Sequence, residues 1–262
     1  MTLMSCAQTA VVNTTRIVSL TPEVCVAMQT NNVITPINPI ACERLRRVDF
    51  QYINFEGAIA TGHVVVLDAV ADQVADIFSE LFAQRFPLQK AVAMEVYQGN
   101  DEAAMRDNNT SAFNGRPISG GTAWSKHAYG VALDINPRQN PYVSLTNEGD
   151  AKILPPASAT SFVNRHDVRA GKTKRAGMVE SVVEIFARHG FMTWGGEWDF
   201  PIDYQHFEIG SRTFVNELLA QTPDAARQIF NQYARSYRQC VAQSIEQDAV
   251  KRRVACVEKT RK

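Results

Sequence analysis

The chain has no excess of charge. Its 27 Lys and Arg residues balance 27 Asp and Glu, and the sequence pI is about 7.0. Nucleic-acid binding favours a basic surface, so this balance gives no sign of that partner. No apolar run is long enough to span a membrane. There are no internal repeats and no low-complexity tract. The start lacks the basic-then-apolar pattern of a complete signal peptide, so a removed signal or another export route is expected. Leu3-Met4-Ser5-Cys6 only faintly resembles a lipoprotein box, with five residues ahead of the cysteine. Cysteines are few: Cys6, Cys25, Cys42, Cys240 and Cys256, none near a histidine motif, which argues against thiolate metal ligation. Cys25 with Cys42, and Cys240 with Cys256, could each close a local loop and leave Cys6 over. Such pairs would indicate an oxidising compartment. Buried or free thiols are the alternative.

What is present is ordinary for a globular protein: 262 residues, 45% hydrophobic and 21% charged. That suffices for one large domain, or one domain with an appendage. Residues 1–41 read as irregular, rich in Thr, Asn and Pro. From Leu45 the pattern alternates, with Val48, Phe50 and Tyr52 on one side, and predicts a half-buried strand. Glu56-Gly57 is a turn, and Thr61 to Leu67 the partner strand. Val70, Val74, Ile77, Phe78, Leu81 and Phe82 recur at helical spacing until Pro87. Ala91 to Tyr97 reads as a central strand. Leu133 to Ile135 is a strand stopped by Asn136-Pro137. A long loop runs through Pro155-Pro156 to about Gly171. Val179, Val182, Val183 and Phe186 mark a helix closed at His189-Gly190. Residues 211–262 predict a helical extension of two helices, broken near Pro223 and packed as core.

Two segments carry the chemistry. One is Ser125-Lys-His127-Ala-Tyr-Gly130-Val-Ala-Leu-Asp134. The other is Gly195-Gly196-Glu197-Trp198, followed by Asp203 and by His206-Phe207-Glu208. His127 and Asp134 are seven apart, which on one strand puts them on opposite faces. A bend at Gly130 would bring them together. Asp203 and His206 are three apart, and a helical turn would set them side by side. Two imidazoles and a carboxylate suit Zn²⁺ and leave a position for water, whose pKa the metal lowers. A carboxylate beside that water would act as general base. Asp203 is the natural candidate, with Glu197 and Glu208 as rivals. Arg116 is the candidate for the oxyanion, or else a loop-anchoring salt bridge. Ser125 would hydrogen-bond within the site or hold a turn. Trp198 and Tyr204, with Trp194, would wall the cleft or serve as packing. His63, His166 and His189 read as structural.

At these residues the sequence resembles the zinc D-alanyl-D-alanine carboxypeptidase family, often called VanY-like. Ser125 to Asp134 matches every fixed position of its Ser-x-His-x-x-Gly-x-Ala-x-Asp motif. Asp203 and His206-Phe207 match its Asp-x-x-His-Phe form, and Glu197 stands where Gly-Gly-Asp-Trp has Asp. The resemblance covers roughly residues 42–210. It implies an α+β fold, a small antiparallel sheet flanked by helices. It implies Zn²⁺ held by His127, Asp134 and His206, and it selects Asp203 as base. The substrate it implies is an amide bond of the peptidoglycan stem peptide, cut by a D,D-carboxypeptidase or L,D-endopeptidase with metal-bound water as nucleophile. Such a protein is expected to be periplasmic or secreted. Arg138 and Arg165 are candidate partners for a terminal carboxylate. Two other readings stay open. One is a secreted antibacterial effector, which would require an immunity protein as partner. The other is a non-catalytic wall-binding module, against which an intact Asp203 argues.

Overall fold

The computed structural model describes residues 14–118, 121–146 and 148–262; Cys6 and the Leu3-to-Cys6 box lie outside them. The N-terminal segment is less irregular than expected. Strand β1 (Arg16–Ser19) is followed by helix α1 (Pro22–Thr30). Thr21 caps α1 by accepting the Val24 amide, and Pro22 opens it at a position where its missing N–H costs nothing. Only Met28 of α1 is buried, so apolar periodicity gave no signal. A disulfide, Cys25–Cys42, ties the helix to the turn that precedes β2 (Leu45–Ile53).

Strand β1 adds to one edge of β2, and β3 (Ile59–Leu67) pairs antiparallel with the other, from Leu45↔Leu67 to Ile53↔Ile59. As the alternation predicted, Val48, Phe50 and Tyr52 are buried. Helix α2 (Ala71–Ala83) packs on this face, and the rings of Phe50 and Phe78 stack with centroids 3.6 Å apart. Each such side chain contributes about 1.5–3 kcal/mol by leaving water. The helix stops before Pro87, as expected.

The strand expected over 91–97 is reduced to β4 (Lys90–Ala91), which pairs parallel with β5 (Asn109–Thr110). A helical turn, Met94–Tyr97, and helix α3 (Asp101–Arg106) lie between them. The ladder ends because side chains take over the backbone: the Val92 amide donates to Asn109 Oδ1 and the Ala93 amide to His63 Nε2.

Next come β6 (Ala132–Asp134), β7 (Tyr142–Leu145) and β8 (Ala151–Leu154). The expected helix after them is split into a turn, Val179–Ser181, and α4 (Val183–Arg188), ending at Gly190 with φ +87°. Strands β9 (Thr193–Trp194), β10 (Ile202–Asp203) and β11 (His206–Glu208) complete two small antiparallel sheets, ordered β6-β11-β9 and β10-β7-β8. The end of the chain forms three helices, not two: α5 (Arg212–Leu219), α6 (Pro223–Gln243) and α7 (Ala249–Thr260). Thr222 and Pro223 start α6, and Asp248 caps α7, a second break that apolar spacing did not mark. Cys240–Cys256 joins α6 to α7. Ala226, Phe230, Tyr233 and Tyr237 of α6 bury one face in the same core as Phe191 and Phe214. The fold is α+β, with small antiparallel sheets and flanking helices.

Candidate metal centre

His127 sits on a tight helical turn, Lys126–Tyr129, whose first amides are held by Ser125; the His127 amide donates to Ser125 Oγ at 3.3 Å. The bend expected at Gly130 is there. Its φ is +66°, and a Cβ would lie 2.6 Å from the Leu67 nitrogen, so glycine alone lets the loop close against the end of β3. The chain then enters β6. Asp134 is paired directly across from His206 of β11. This cross-strand pairing, not a helical turn, brings the second histidine in. Asp203 and His206 lie on two successive strands joined by Tyr204 and Gln205. A spacing of three suits either geometry, so sequence could not separate them.

The three side chains are buried, and their ligand atoms lie within 4.8 Å of one another. His127 Nδ1 donates to the Ala112 carbonyl at 2.5 Å, which leaves Nε2 facing the cluster. That Nε2 is 3.2 Å from Asp134 Oδ2 and 3.2 Å from His206 Nδ1. His206 Nδ1 is 3.1 Å from Asp134 Oδ1, and its Nε2 meets Glu208 Oε2 at 3.1 Å. Glu208 is itself held by Lys126, whose ammonium reaches Glu208 Oε1 at 2.8 Å and the carbonyls of Ile209 and Gly210. The Lys126–Glu208–His206 chain orients the ring, as a carboxylate behind a ligating histidine does in metal sites. Sequence reading weighed Glu208 only as a rival base and missed Lys126. The even spacing of His206 and Glu208 on a strand was the available signal.

The electrostatics follow from burial and these contacts. Burial opposes the charge on His206, but Asp134 and Glu208 outweigh it and push its pKa up to about 10. Burial also opposes the charge on Asp134, yet His127 and His206 hold it well below the usual carboxylate range. Glu208 is likewise opposed by burial and pulled down to about 2 by His206 and Lys126. Asp203 goes the other way. Burial, reinforced by the negative charge of Asp134, pushes it up to about 7. Its Oδ1 is buried and has no hydrogen-bond partner among the described residues. Gly195 presses against it: a Cβ there would lie 2.5 Å from the Asp203 carbonyl oxygen.

These groups line a cavity of about 520 Å³, together with Arg116, Ser125, Trp198, Met105 and Tyr142. The Trp198 ring lies 5.4 Å from that of His206. Arg116 donates to Asp101 Oδ2 at 2.7 Å, so it is in the cleft and in a salt bridge at once. Tyr204 is not part of the lining. Its ring lies under the Arg165 guanidinium, and its carbonyl accepts the Trp194 indole N–H at 2.8 Å. Tyr142, from the neighbouring strand, lines the wall instead, a residue that the sequence reading did not single out. Arg165 is occupied by Glu180 and Asn140, and neither it nor Arg138 lines the cleft. Of the rival bases, Glu208 has both oxygens engaged, and Glu197 lines a different cavity and pairs with Arg253.

Two imidazole nitrogens and a carboxylate oxygen, converging in a buried pocket, are a donor set that fits Zn²⁺. Asp203, with its unpaired Oδ1, lines the same pocket. Residues 119–209, about a third of the chain, match the family model described as D-alanyl-D-alanine carboxypeptidase. That is the family the two motifs resemble, and the matched segment holds His127, Asp134, Asp203 and His206 but not Arg116. No curated protein and no solved structure matches the chain. Over residues 119–209 the chain is similar to that carboxypeptidase family, and the donor set gathered there is of the kind a metallopeptidase uses.

Proposed function

We propose that the protein is a zinc-dependent peptidase that hydrolyses an amide bond of the peptidoglycan stem peptide, as a D,D-carboxypeptidase or an L,D-endopeptidase. His127, Asp134 and His206 would hold the metal, and Glu208 with Lys126 would fix the His206 ring. A zinc ion there supplies a Lewis acid and makes water a competent nucleophile near neutral pH. Asp203 takes the proton of the attacking water and returns it to the leaving amine. Arg116, on the same cavity wall, would meet the oxyanion. Two disulfides support an extracytoplasmic location, periplasmic or secreted.

The observation that carries the reading is half-buried Asp203, whose Oδ1 is buried and unpaired among the described residues, in one cavity with the His-Asp-His cluster. A purely structural metal site has no need of it, which weighs against a non-catalytic wall-binding module. The test is mass spectrometry of purified sacculi after digestion by the zinc-loaded protein, with Asp203→Asn as control. Loss of a terminal alanine defines a carboxypeptidase. Cut stems or split crosslinks define an endopeptidase. Absence of product from the wild type, or equal product from the variant, contradicts the proposal.

A further inference from the structure

The last helix and the residues just after it hold the chain on both sides of β11. On one side, Arg253 of α7 is only 7% exposed, and its guanidinium pairs with Glu197. Glu197 ends the turn Gly195–Glu197. That turn abuts Asp203, since a Cβ on Gly195 would lie 3.0 Å from the Asp203 Cβ, and it leads directly into Trp198 beside His206. On the other side of β11, the Ser211 amide donates to the carbonyl of Lys262 at 2.6 Å. Helix α7 is in turn fixed to α6 by Cys240–Cys256, and α6 is anchored in the core through Phe230 and Tyr237.

Besides its packing on Asp203 and Trp194, the turn is bonded weakly within itself. Its internal hydrogen bond, from the Trp198 amide to the Gly195 carbonyl, is 3.3 Å long. Glu197 borders a cavity of about 800 Å³ between α4, α6 and α7, so space is open beside the carboxylate. Glu184, a second carboxylate on this cavity, is bound by the Tyr237 hydroxyl at 2.8 Å and does not compete for Arg253.

We propose that Arg253 is a positioning residue for the metal centre: through Glu197 it fixes the Gly195–Glu197 turn against Asp203 and sets Trp198 at the cleft wall. The C-terminal helices, which lie outside the matched family segment, then act on the site itself as well as on the core. The kinetic part of this inference rests on the peptidase reading. The structural part does not.

The test compares Arg253→Met, Arg253→Lys and the charge swap Glu197→Arg/Arg253→Glu with the wild type, all as full-length zinc-loaded protein. Hydrogen exchange is followed at residues 195–198, and steady-state kinetics on a stem peptide. Arg253→Met is expected to speed exchange at the Trp198 amide about fivefold, the scale of one partly exposed ion pair, with β2 and β3 unchanged. KM is expected to rise about fivefold as the wall moves, an effect that a smaller folded fraction cannot produce. Arg253→Lys and the charge swap are expected to recover most of both. Wild-type exchange at 195–198 in a folded Arg253→Met protein overturns the inference, as does a charge swap no better than Arg253→Met. If Arg253→Met does not fold, Glu197→Gln breaks the same pair from its more exposed partner: faster exchange confined to 195–198 supports the role, and wild-type exchange there overturns it. A wild type without turnover would contradict the peptidase reading alone, and exchange would still decide this one.

Discussion

The β2–β3 hairpin and the β6–β11 pair are both antiparallel, and different forces hold them. The hairpin runs nine residues on each strand and buries alternate apolar side chains under α2. The β6–β11 pair has three residues on each strand, and its facing side chains at one position are a carboxylate and an imidazole. On one face Leu133 and Phe207 sit in the core, with Phe207 stacked on Phe186; the other face is held by a polar chain: Lys126 to Glu208, Glu208 to His206, His206 to Asp134, Asp134 to His127, His127 to the Ala112 carbonyl. A long apolar sheet tolerates small changes of side chain at a graded cost. A short polar one depends on every link, since each group left unpaired in a buried site costs its full desolvation.

The comparison can be broken at either end. Asp203→Asn removes the base and keeps the cluster, so turnover should fall about 10²- to 10⁴-fold. Zinc content should stay at the wild-type level, and a parallel loss of both would show that Asp203 serves binding instead. Phe78→Ala takes a stacked ring from the hairpin's cover and should cost about 3–5 kcal/mol in urea or thermal unfolding. Zinc affinity of the folded protein should be unchanged, and a large drop would mean that the two regions are not separable. Glu208→Gln should do the reverse. It leaves the apolar core intact and weakens zinc about 10- to 100-fold, because His206 loses the carboxylate that orients it. Unaltered affinity would demote the Lys126–Glu208 link to surface chemistry.

The smallest effect concerns protons. Asp203 in the metal-free protein keeps its proton up to a pKa of about 7, and His206 keeps its own up to about 10. A dication favours the deprotonated form of both. At about pH 6 zinc therefore displaces protons from both groups, and at about pH 8 from His206 alone. Calorimetry in buffers of different ionisation enthalpy should show the wild type releasing about one proton more than Asp203→Asn at the lower pH, and about the same at the higher. Equal release by the two proteins at the lower pH would mean that Asp203 is already ionised in the metal-free protein.

The same contrast explains what was legible in the sequence. Val48, Phe50 and Tyr52 announced their strand because burial on one face imposes a period of two. The cluster was legible for another reason: His127, Asp134, Asp203 and His206 stand in motifs whose residue types chemistry restricts, and Gly130 marked the bend between the first two. The route by which His206 arrives was not legible, because strands of two or three residues carry no period. The strand at 91–97 failed where Asn109 and His63 side chains replaced a neighbouring strand. Helix α1 was missed because a cap, a proline and a disulfide hold it instead of an apolar face. Of the two roles open to Tyr204, sequence could not choose, since an aromatic in a turn beside a motif can face either way; here it packs under Arg165.

The central claim is that the β6–β11 pair and the turn at His127 together build a zinc site. Metal content of the purified, zinc-equilibrated protein tests it most directly, measured by elemental mass spectrometry beside His206→Ala. The account predicts about one zinc per chain in the wild type and loss of that zinc in the variant. Zinc-free wild type, or a variant that retains the metal, would contradict it.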